Sequence, residues 1–453
     1  MKSLIPLLLV AAPLAAQAPA RAAATPVRPL PAPTATSTDS LGSIAAVRQL
    51  SNGNVLVNDQ VRRRVVLMDS TLKVIGVVAD STSSTANAYG VRPGGLLAYH
   101  GDSTLFIDPA SLSMLVIDGT GKVARVMAAP RPNDVQFLIG GPFGNPGFDS
   151  RGRLIYRAFP RPNFTRNADG TPGTPEFPDS AALVRFDLGT RTLDTAAFFR
   201  IPKQNMTVTR DENGGFRVMS TINPLPVTDD WAVMSDGTIA LVRGREYRVE
   251  FIGADGARTV ADKIPFEWQR LSDEDKVAFI DSTRAAMERR RTQFANGGGA
   301  AANGGNVTIG AGGDGGGGVQ VMTMRVRGDG AEPPRRGGDR PRNGGSASGG
   351  NRDSAQIQFP PINFIAPSEL PDYKPAFSVG SVRSDMDDRV WIRTIPTKPT
   401  TGVTYDVVDR SGKLVDRVQV PANATIAGFG KGGIVYVGVR DGREIRLQRV
   451  KIN

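Results

Sequence analysis

The side chains that could carry chemistry in this sequence are oxygen donors and arginines, because thiol groups are absent and imidazole occurs once. The chain has 453 residues, no cysteine and one histidine, His100. The lack of cysteine excludes disulfides, thiolate metal sites and a cysteine nucleophile. One histidine is too few for a zinc site of several imidazoles or for an HExxH motif. His100 could act as a general base, since imidazole titrates near neutrality, although a lone histidine at a strand end is more often structural.

Carboxylate and amide side chains recur where the repeated units of the chain, described below, begin. The candidate metal ligands among them are Asp134, Asn145, Asp229 and Asp230. Oxygen donors of this kind suit a hard cation such as calcium. The alternative for Asp230 is an ordinary residue at a turn or strand edge. Calcium is therefore the one cofactor that the sequence suggests, and otherwise none is expected.

Arginines give the chain its basic character, with a formal net charge of +11. Four of them, Arg335, Arg336, Arg340 and Arg342, lie in a glycine-rich stretch that could bind a polyanion such as a cell-surface polysaccharide or a phosphate-bearing lipid. The competing interpretation is a solvated linker that keeps the protein soluble. Nucleic acid is an unlikely partner, because the N-terminus predicts export.

The elements that position these residues are best seen over residues 229–256, DDWAVMSDGTIALVRGREYRVEFIGADG. Short apolar runs are separated by turns at 235–237 and 243–244, and Tyr247, Val249 and Phe251 alternate with more polar neighbours. A further extended run follows Gly256. The pattern predicts a four-stranded antiparallel meander, which must stack on others to bury both faces.

The same unit recurs along the chain, first over 43–79 and then over 95–127. The turn residues Asp69 and Asp118 lie 49 positions apart in these two units, a spacing typical of propeller repeats. Six units can be counted, and the last has only three runs. We expect Val27 to Leu30 to supply the missing strand, and we expect Trp231 and Trp391 to lie at equivalent positions in the inter-blade core. The predicted fold is an all-β, six-bladed β-propeller.

Two segments interrupt the pattern. Ser272, with Asp275 three residues later, predicts a helix with Val277, Ile280 and Met287 on its apolar face. The glycine-rich stretch after it has too few apolar residues to fold. The predicted divisions are a signal peptide over 1–24, blades 1–4 with the closing strand over 25–265, an inserted helix over 266–296, a disordered insertion and return segment over 297–370, and blades 5–6 over 371–453.

The chain resembles the six-bladed β-propeller proteins of the NHL-repeat type, in particular an exported bacterial group. The resemblance rests on residues 52–65, on 230–233 with 247–250, and on 370–375 followed by Arg389-Val390-Trp391. It covers roughly residues 25–265 and 370–453 and implies the fold and export. Related six-bladed folds of the gluconolactonase and paraoxonase type hold calcium on the axis with Asp, Asn and Glu oxygens, but their ligand pattern is not recognisable here.

The sequence favours a binding role over an enzymatic one. We expect an exported, periplasmic or extracellular propeller that acts as a binding or interaction scaffold for a protein, a glycan or a small molecule. Ligand contacts are expected on the face that carries the loop 160–178 and the helix 272–294. The alternatives are a calcium-dependent hydrolase or lyase with a site in the axial channel, and polyanion binding through the basic insertion.

Overall fold

The structure is a computed structural model that describes residues 25–81, 90, 92–166, 173, 175–203, 205–210, 216–296, 362–397, 400–442 and 444–452. Three predictions fall outside these ranges. They are the signal peptide over 1–24, the disordered insertion and return segment over 297–370 except for its last nine residues, and the polyanion site of Arg335, Arg336, Arg340 and Arg342.

The described residues form six blades and one small separate sheet, as the repeat pattern predicts. Two strands, β1 (Val27–Pro29) and β2 (Pro33–Thr36), precede the blades. Blade 1 consists of β3 (Ala46–Gln49), β4 (Val55–Asp59), β5 (Arg64–Met68) and β6 (Val74–Ala79). Blade 2 consists of β7 (Gly95–Ala98), β8 (Thr104–Asp108), β9 (Ser113–Ile117) and β10 (Val123–Ala128). Blade 3 consists of β11 (Gly147–Phe148), β12 (Leu154–Arg157), β13 (Ser180–Phe186) and β14 (Leu193–Arg200).

A hairpin, β15 (Asn205–Arg210) with β16 (Phe216–Ile222), separates blade 3 from blade 4. Blade 4 consists of β17 (Asp230–Val233), β18 (Ile239–Arg243), β19 (Arg248–Ile252) and β20 (Arg258–Lys263). After it come the helix α1 (Asp273–Asn296) and β21 (Asn363–Phe364). Blade 5 contains β22 (Phe377–Ser384), β23 (Val390–Thr394), β24 (Gly402–Val408) and β25 (Leu414–Pro421). Blade 6 contains β26 (Ala424–Gly430), β27 (Ile434–Asp441) and β28 (Glu444–Lys451).

The turn between the third and fourth strands repeats the same hydrogen bonds in three blades. Asp69 accepts from the N–H and hydroxyl of Thr71 at 2.8 and 2.6 Å, and from the N–H of Lys73 at 3.1 Å. Asp118 and Asp409 make the equivalent bonds to their own turns. A carboxylate that binds the backbone two and four residues later fixes a tight turn locally. The equivalence of Asp69 and Asp118 is therefore confirmed.

The ring is closed by a different strand from the one predicted. Val27 to Leu30 was expected to complete the last blade, and this is wrong: β1 runs parallel to β25 and adds a fifth strand to blade 5. The fourth strand of blade 6 is β2, which pairs antiparallel with β28. The segment after Pro33 takes the place beside β28 and continues to a bridge between Leu41 and Ile445, so β1, which is separated from β2 by three residues, pairs with the neighbouring blade instead.

The core consists of six apolar clusters, each between two neighbouring blades. One of them joins Val57 and Met68 of blade 1 to Tyr436 of blade 6, so the packing continues around the whole ring. Trp231 and Trp391 are both buried in such clusters, as predicted. They are not equivalent, however, because Trp231 lies on the first strand of its blade and Trp391 on the second.

The inserted helix begins as the sequence predicts. The N–H of Asp275 donates to the Ser272 hydroxyl at 3.2 Å, and the N–H of Ser272 donates to the Asp275 carboxylate at 2.9 Å. Ile280 and Met287 are buried, but Val277 is 46% exposed and does not belong to the apolar face. The buried face therefore is narrower than the sequence suggests.

The helix packs on the other inserted segments. Ile280 belongs to an apolar cluster with four residues from those segments, Leu225, Leu271, Ile365 and Leu370. The short strand β21 pairs with β16, and α1 contacts the 3₁₀ turn Pro367–Glu369. We call α1, this turn and the β15–β16–β21 sheet the cap. No helix within the described ranges is long and apolar enough to span a membrane.

Candidate functional site

The two sides of the ring differ in what they carry. Neighbouring strands in a blade are antiparallel, so first strands begin on the same side on which second strands end. The described parts of the loop 160–178, residues 160–166, 173 and 175–178, lie between the second and third strands of blade 3, and the cap follows the last strands of blades 3 and 4. Both therefore lie on this side, as predicted, and we call it the insertion face.

Asp230 is the central acidic residue on the insertion face. It is the first residue of β17 and only 2% exposed. Its Oδ1 accepts the N–H of Trp231 at 2.9 Å, and its Oδ2 accepts the N–H groups of Ser381 and Val382 at 2.7 and 2.9 Å. These donors come from an irregular stretch of β22, which loses register between Phe377 and Val382. Burial raises the pKa of Asp230 to about 7, although the backbone donors oppose this effect.

Arg157 ends the second strand of blade 3, near Asp230, and is 8% exposed. Its guanidinium lies over the rings of Phe137, Phe143 and Phe199, at 5.0, 5.6 and 5.9 Å from their centroids. Its Nε is buried without a hydrogen-bond partner in the described structure. Burial lowers the pKa of Arg157 to about 10, while the charge of Asp230 acts to raise it. This is a desolvated cation among aromatic rings.

Arg393 stands near the end of the second strand of blade 5. Burial lowers its pKa, the charge of Arg383 lowers it further, and the charge of Asp230 raises it. Asp230 thus acts electrostatically on both Arg157 and Arg393. We call Arg157, Arg393, Asp230 and the rings of Phe137 and Phe143 the arginine site.

The connection from blade 2 to blade 3 crosses the ring between its axis and the arginine site. It contains the 3₁₀ turns Pro132–Leu138 and Gly141–Phe143. Asn145 donates from Nδ2 to the carbonyl of Val382, and its backbone bridges to Ala232. The connection is therefore fixed to blades 4 and 5 as well as to its own blades.

An axial cavity of about 210 Å³ lies on the other side of this connection. Its described walls come from blades 1, 2, 4, 5 and 6 and from the connection between blades 2 and 3, including residues 45–49, 96–98, 138–141, 145–146, 383–384 and 427–429. The charged side chains in the described lining are Arg48 and Arg383. Arg48 donates to the carbonyl of Ser103 at 3.0 Å, and burial lowers its pKa. Gln49, Asn145 and Ser384 add neutral polar groups, so the cavity is electropositive and has no carboxylate in its described wall.

The predicted metal ligands do not converge on one point. Asp134 pairs with Arg131 and accepts from the hydroxyl of Tyr156 at 3.2 Å. Asp229 pairs with Arg243 at 2.9 Å. Asp230 is held by backbone N–H groups, and Asn145 directs its amide nitrogen to a carbonyl. No group of three or more carboxylate or imidazole ligands occurs in the described part of the chain. The carboxylate oxygens of Asp134, Asp229 and Asp230 are thus already engaged by arginine, tyrosine or backbone donors in the described structure.

The structure places His100 away from both sites. It is exposed in the turn between β7 and β8, where its ring centroid lies 4.3 Å from that of Tyr99 and 5.7 Å from that of Phe148. No carboxylate in the described residues pairs with it, so nothing there would orient it as a general base. This arrangement supports the structural alternative.

The arginines of both sites were missed at the sequence level. A signal was present: the second strands of blades 3, 4 and 5 read LIYR, IALVR and VWIR, each with an arginine at the end of an apolar run. A charge that directly follows three or four apolar residues of a buried strand is expected to be desolvated. The sequence does not separate Arg157 from Arg243, but the structure does: Arg157 is buried, whereas Arg243 pairs with two carboxylates.

The fold defines the class of the protein as a six-bladed β-propeller. No protein-family model matches the chain, and no curated protein matches it significantly. Among solved structures, a gluconolactonase from Xanthomonas campestris is 10% identical, with 94% of this chain and 97% of that chain covered and a TM-score of 0.37. A catalytically inactive virginiamycin B lyase from Staphylococcus aureus is also 10% identical, with 91% of this chain and 99% of that chain covered and a TM-score of 0.35.

A third similar structure is the calcium-binding protein regucalcin from Agrobacterium tumefaciens. It is 10% identical, with 94% of this chain and 97% of that chain covered and a TM-score of 0.35. Similarity at this level carries no argument about activity or ligands. The membership in the NHL-repeat type and in an exported group stays a prediction.

Proposed function

We propose that this protein is an exported, ligand-binding β-propeller that holds a small organic dianion in its axial cavity. The observation that carries the proposal is the charge of the lining: Arg48 and Arg383 face one cavity whose described wall contains no acid. Two guanidinium groups in a partly enclosed space favour a ligand with two carboxylates, because each can bind one carboxylate through two parallel hydrogen bonds.

The neutral lining residues support the same role. Gln49, Asn145 and Ser384 can donate or accept hydrogen bonds, while Leu97 and Val233 supply apolar wall. A few polar groups set in an apolar wall are typical of small-molecule sites. Since neither a nucleophile paired with a base nor a metal ligand set occurs at the described wall, the geometry favours binding over catalysis.

The test is calorimetric titration of the mature protein with malonate, succinate and glutarate. We expect saturable binding of at least one of them, weakened roughly ten-fold or more by Arg383→Gln, because the loss of one charge-assisted bidentate pair costs about 1.5–3 kcal/mol. Arg151→Gln is the matched control, since Arg151 is exposed on a turn. Absence of binding by all three, or equal affinity in the Arg383→Gln protein, would contradict the proposal.

The calcium-dependent alternative is tested by a thermal melt with EDTA and with added calcium. Since the candidate oxygens are occupied by arginine or backbone partners, we expect no change in Tm. A metal that binds the folded state raises Tm according to its concentration and affinity. A rise in Tm that saturates with calcium would favour the hydrolase or lyase.

The third alternative is polyanion binding through the basic insertion. It predicts an affinity for polyanions that falls steeply with salt concentration.

A further inference from the structure

We infer that the arginine site is a second ligand site, separate from the axial cavity, and that it takes a monocarboxylate with an aromatic or apolar body. The inference does not depend on the dianion proposed for the cavity. It rests on the burial of Arg157, on the charges around it and on the rings that it touches.

Arg157 needs an anion that the described structure does not supply. Its side chain is 8% exposed, and its Nε is buried without an acceptor. A buried, unpaired guanidinium is costly, so a protein that retains one normally provides a partner for it. Asp230 acts on Arg157 through its charge only, because no hydrogen bond or ion pair joins the two side chains in the described structure and the Asp230 oxygens accept backbone N–H groups instead. The free donors of Arg157 are therefore available to a ligand.

The charges at the site favour a single negative charge on the ligand. Arg157 and Arg393 contribute two positive charges, and Asp230 offsets one of them when it is ionised. Two further groups act on Arg393: Tyr405 raises its pKa and the charge of Arg383 lowers it. A monoanion neutralises the remainder, whereas a dianion would bring an unpaired charge into a desolvated place.

The rings define the rest of the ligand. Phe137 and Phe199 are almost fully buried, and Phe143 is partly exposed beside Arg157. The edge of Phe137 meets Phe143 at 4.9 Å between centroids and 85° between planes. A planar guanidinium binds a carboxylate in its own plane, so the body of the ligand would lie along these rings. An aromatic carboxylate fits this arrangement better than acetate.

The arginine site and the axial cavity are distinct. Arg157, Arg393 and Asp230 are absent from the described cavity wall, which instead includes Leu138 to Gly141. Phe137 and Phe143, on the same connection, contact Arg157. One short segment therefore contributes to both sites from its two sides, and each site can be altered without removing the other.

The experiment is calorimetric titration of the mature protein with phenylacetate, with acetate as the probe that lacks the ring. We expect phenylacetate to bind more tightly than acetate, and Arg157→Met to weaken phenylacetate at least ten-fold. Arg151→Met carries the same substitution at an exposed turn and is expected to bind phenylacetate like the unaltered protein. Arg383→Gln, which removes an arginine of the cavity, should weaken phenylacetate binding much less than Arg157→Met, because Arg383 acts on this site only through its charge on Arg393.

The inference is overturned if phenylacetate does not bind, or if folded Arg157→Met protein binds it with unchanged affinity. If Arg157→Met does not fold, Arg157→Lys decides. Lysine keeps the charge but loses the bidentate geometry, so the affinity should fall about five-fold. Unchanged affinity in that variant would also overturn the inference. Equal affinity for acetate and phenylacetate would refute the role of the rings.

Discussion

Arg157 and Arg393 occupy equivalent positions in blades 3 and 5. In each blade an aspartate pairs with the arginine four residues later, Asp149 with Arg153 and Asp385 with Arg389. A further four residues along the chain comes Arg157 or Arg393. Blade 4 has an arginine at the matching strand end, Arg243, but it pairs with Asp229 and Glu250 at 2.9 and 2.8 Å. The same position thus serves structure in one blade and, we propose, a ligand in the other two.

The first prediction concerns the packing of Gly144, in the connection between blades 2 and 3, against the ring of Trp231. Gly144 has a φ of 94°, and a Cβ there would lie 2.3 Å from the Trp231 ring. We expect Gly144→Ala to lower the free energy of unfolding by about 2–4 kcal/mol, because it combines backbone strain with overpacking. The measurement is urea unfolding followed by tryptophan fluorescence.

Gly141→Ala is the matched control for this prediction. Gly141 also has a positive φ, of 72°, but a Cβ there would meet nothing within 4 Å. Gly141→Ala should therefore lower the free energy of unfolding through backbone strain alone, by about 1–2 kcal/mol. Equal costs for the two substitutions would show that the contact between Gly144 and Trp231 is not tight.

The second prediction concerns pH and Asp230. Burial raises the pKa of Asp230 in the folded protein to about 7, whereas an unfolded aspartate titrates near 3.8. Between these values the folded state binds more protons than the unfolded state, so this group lowers stability as pH rises from about 4 to 7. Asp230→Asn does not titrate. We expect the stability of the variant relative to the unaltered protein to increase over this range, by up to roughly 4 kcal/mol.

The measurement is urea unfolding of both proteins at pH 5, 6, 7 and 8. The free energy of unfolding of Asp230→Asn minus that of the unaltered protein should increase up to about pH 7 and then level off. This shape does not depend on how much the substitution itself changes stability. A difference that is constant with pH, or one that decreases, would mean that Arg157, Arg393 and the backbone donors keep Asp230 ionised throughout.

The third prediction concerns the buried contact between blades 4 and 5. The hydroxyl of Tyr247 donates to Asp406 at 2.7 Å, and Arg417 donates to the other carboxylate oxygen at 3.0 Å. Both Tyr247 and Asp406 are almost fully buried. Tyr247→Phe leaves a buried carboxylate with one donor fewer, so we expect a loss of about 1–3 kcal/mol in the free energy of unfolding.

Tyr373→Phe is the control, because Tyr373 is 50% exposed. It should change the free energy of unfolding by less than about 0.5 kcal/mol. If both substitutions had equally small effects, water would have to replace the Tyr247 hydroxyl at Asp406 without cost.

The fourth prediction distinguishes the two N-terminal strands. Removal of residues 1–31 deletes β1, which adds an outer strand to a blade that already has four. Removal of residues 1–37 also deletes β2, and with it the pairing of Pro33, Ala35 and Thr36 with β28. We expect the longer deletion to cost roughly 3 kcal/mol more, at about 1 kcal/mol per hydrogen-bonded residue, and to expose a strand edge that promotes aggregation.

Differential scanning calorimetry and light scattering on both truncated proteins test this prediction. A Tm for the longer deletion equal to that of the shorter one would mean that β2 does not close the ring.

The blades could be predicted from sequence because their turns are encoded locally. The bonds of Asp69 and Asp118 reach only four residues along the chain, so their spacing shows the period directly. The closing strand could not be predicted in the same way. Both segments, 27–30 and 33–36, are short, and their pairing depends on strands about 400 residues away, which no local pattern reports.

The sites were harder to predict for a related reason. Burial decides whether an arginine is a solvated surface group or a desolvated binding group, and Arg157 and Arg151 cannot be told apart by residue type. The carboxylates gave the opposite error: Asp134 and Asp229 have the right chemistry for a metal, but each is neutralised by an arginine on its own or an adjacent element. Residue type alone does not show that these carboxylates are already paired.

The participation of β1 and β2 in the last two blades has a consequence for how the chain folds during synthesis. Blades 1 to 4 can form their turns as they emerge, but the strands that lock the ring are made first and must wait for β25 and β28, which are made last. Until then the growing chain carries unpaired strand edges at both ends of an open arc, the condition under which long-range β proteins fold slowly and aggregate. A chaperone that shields the N-terminal strands would therefore act on the slowest step of assembly.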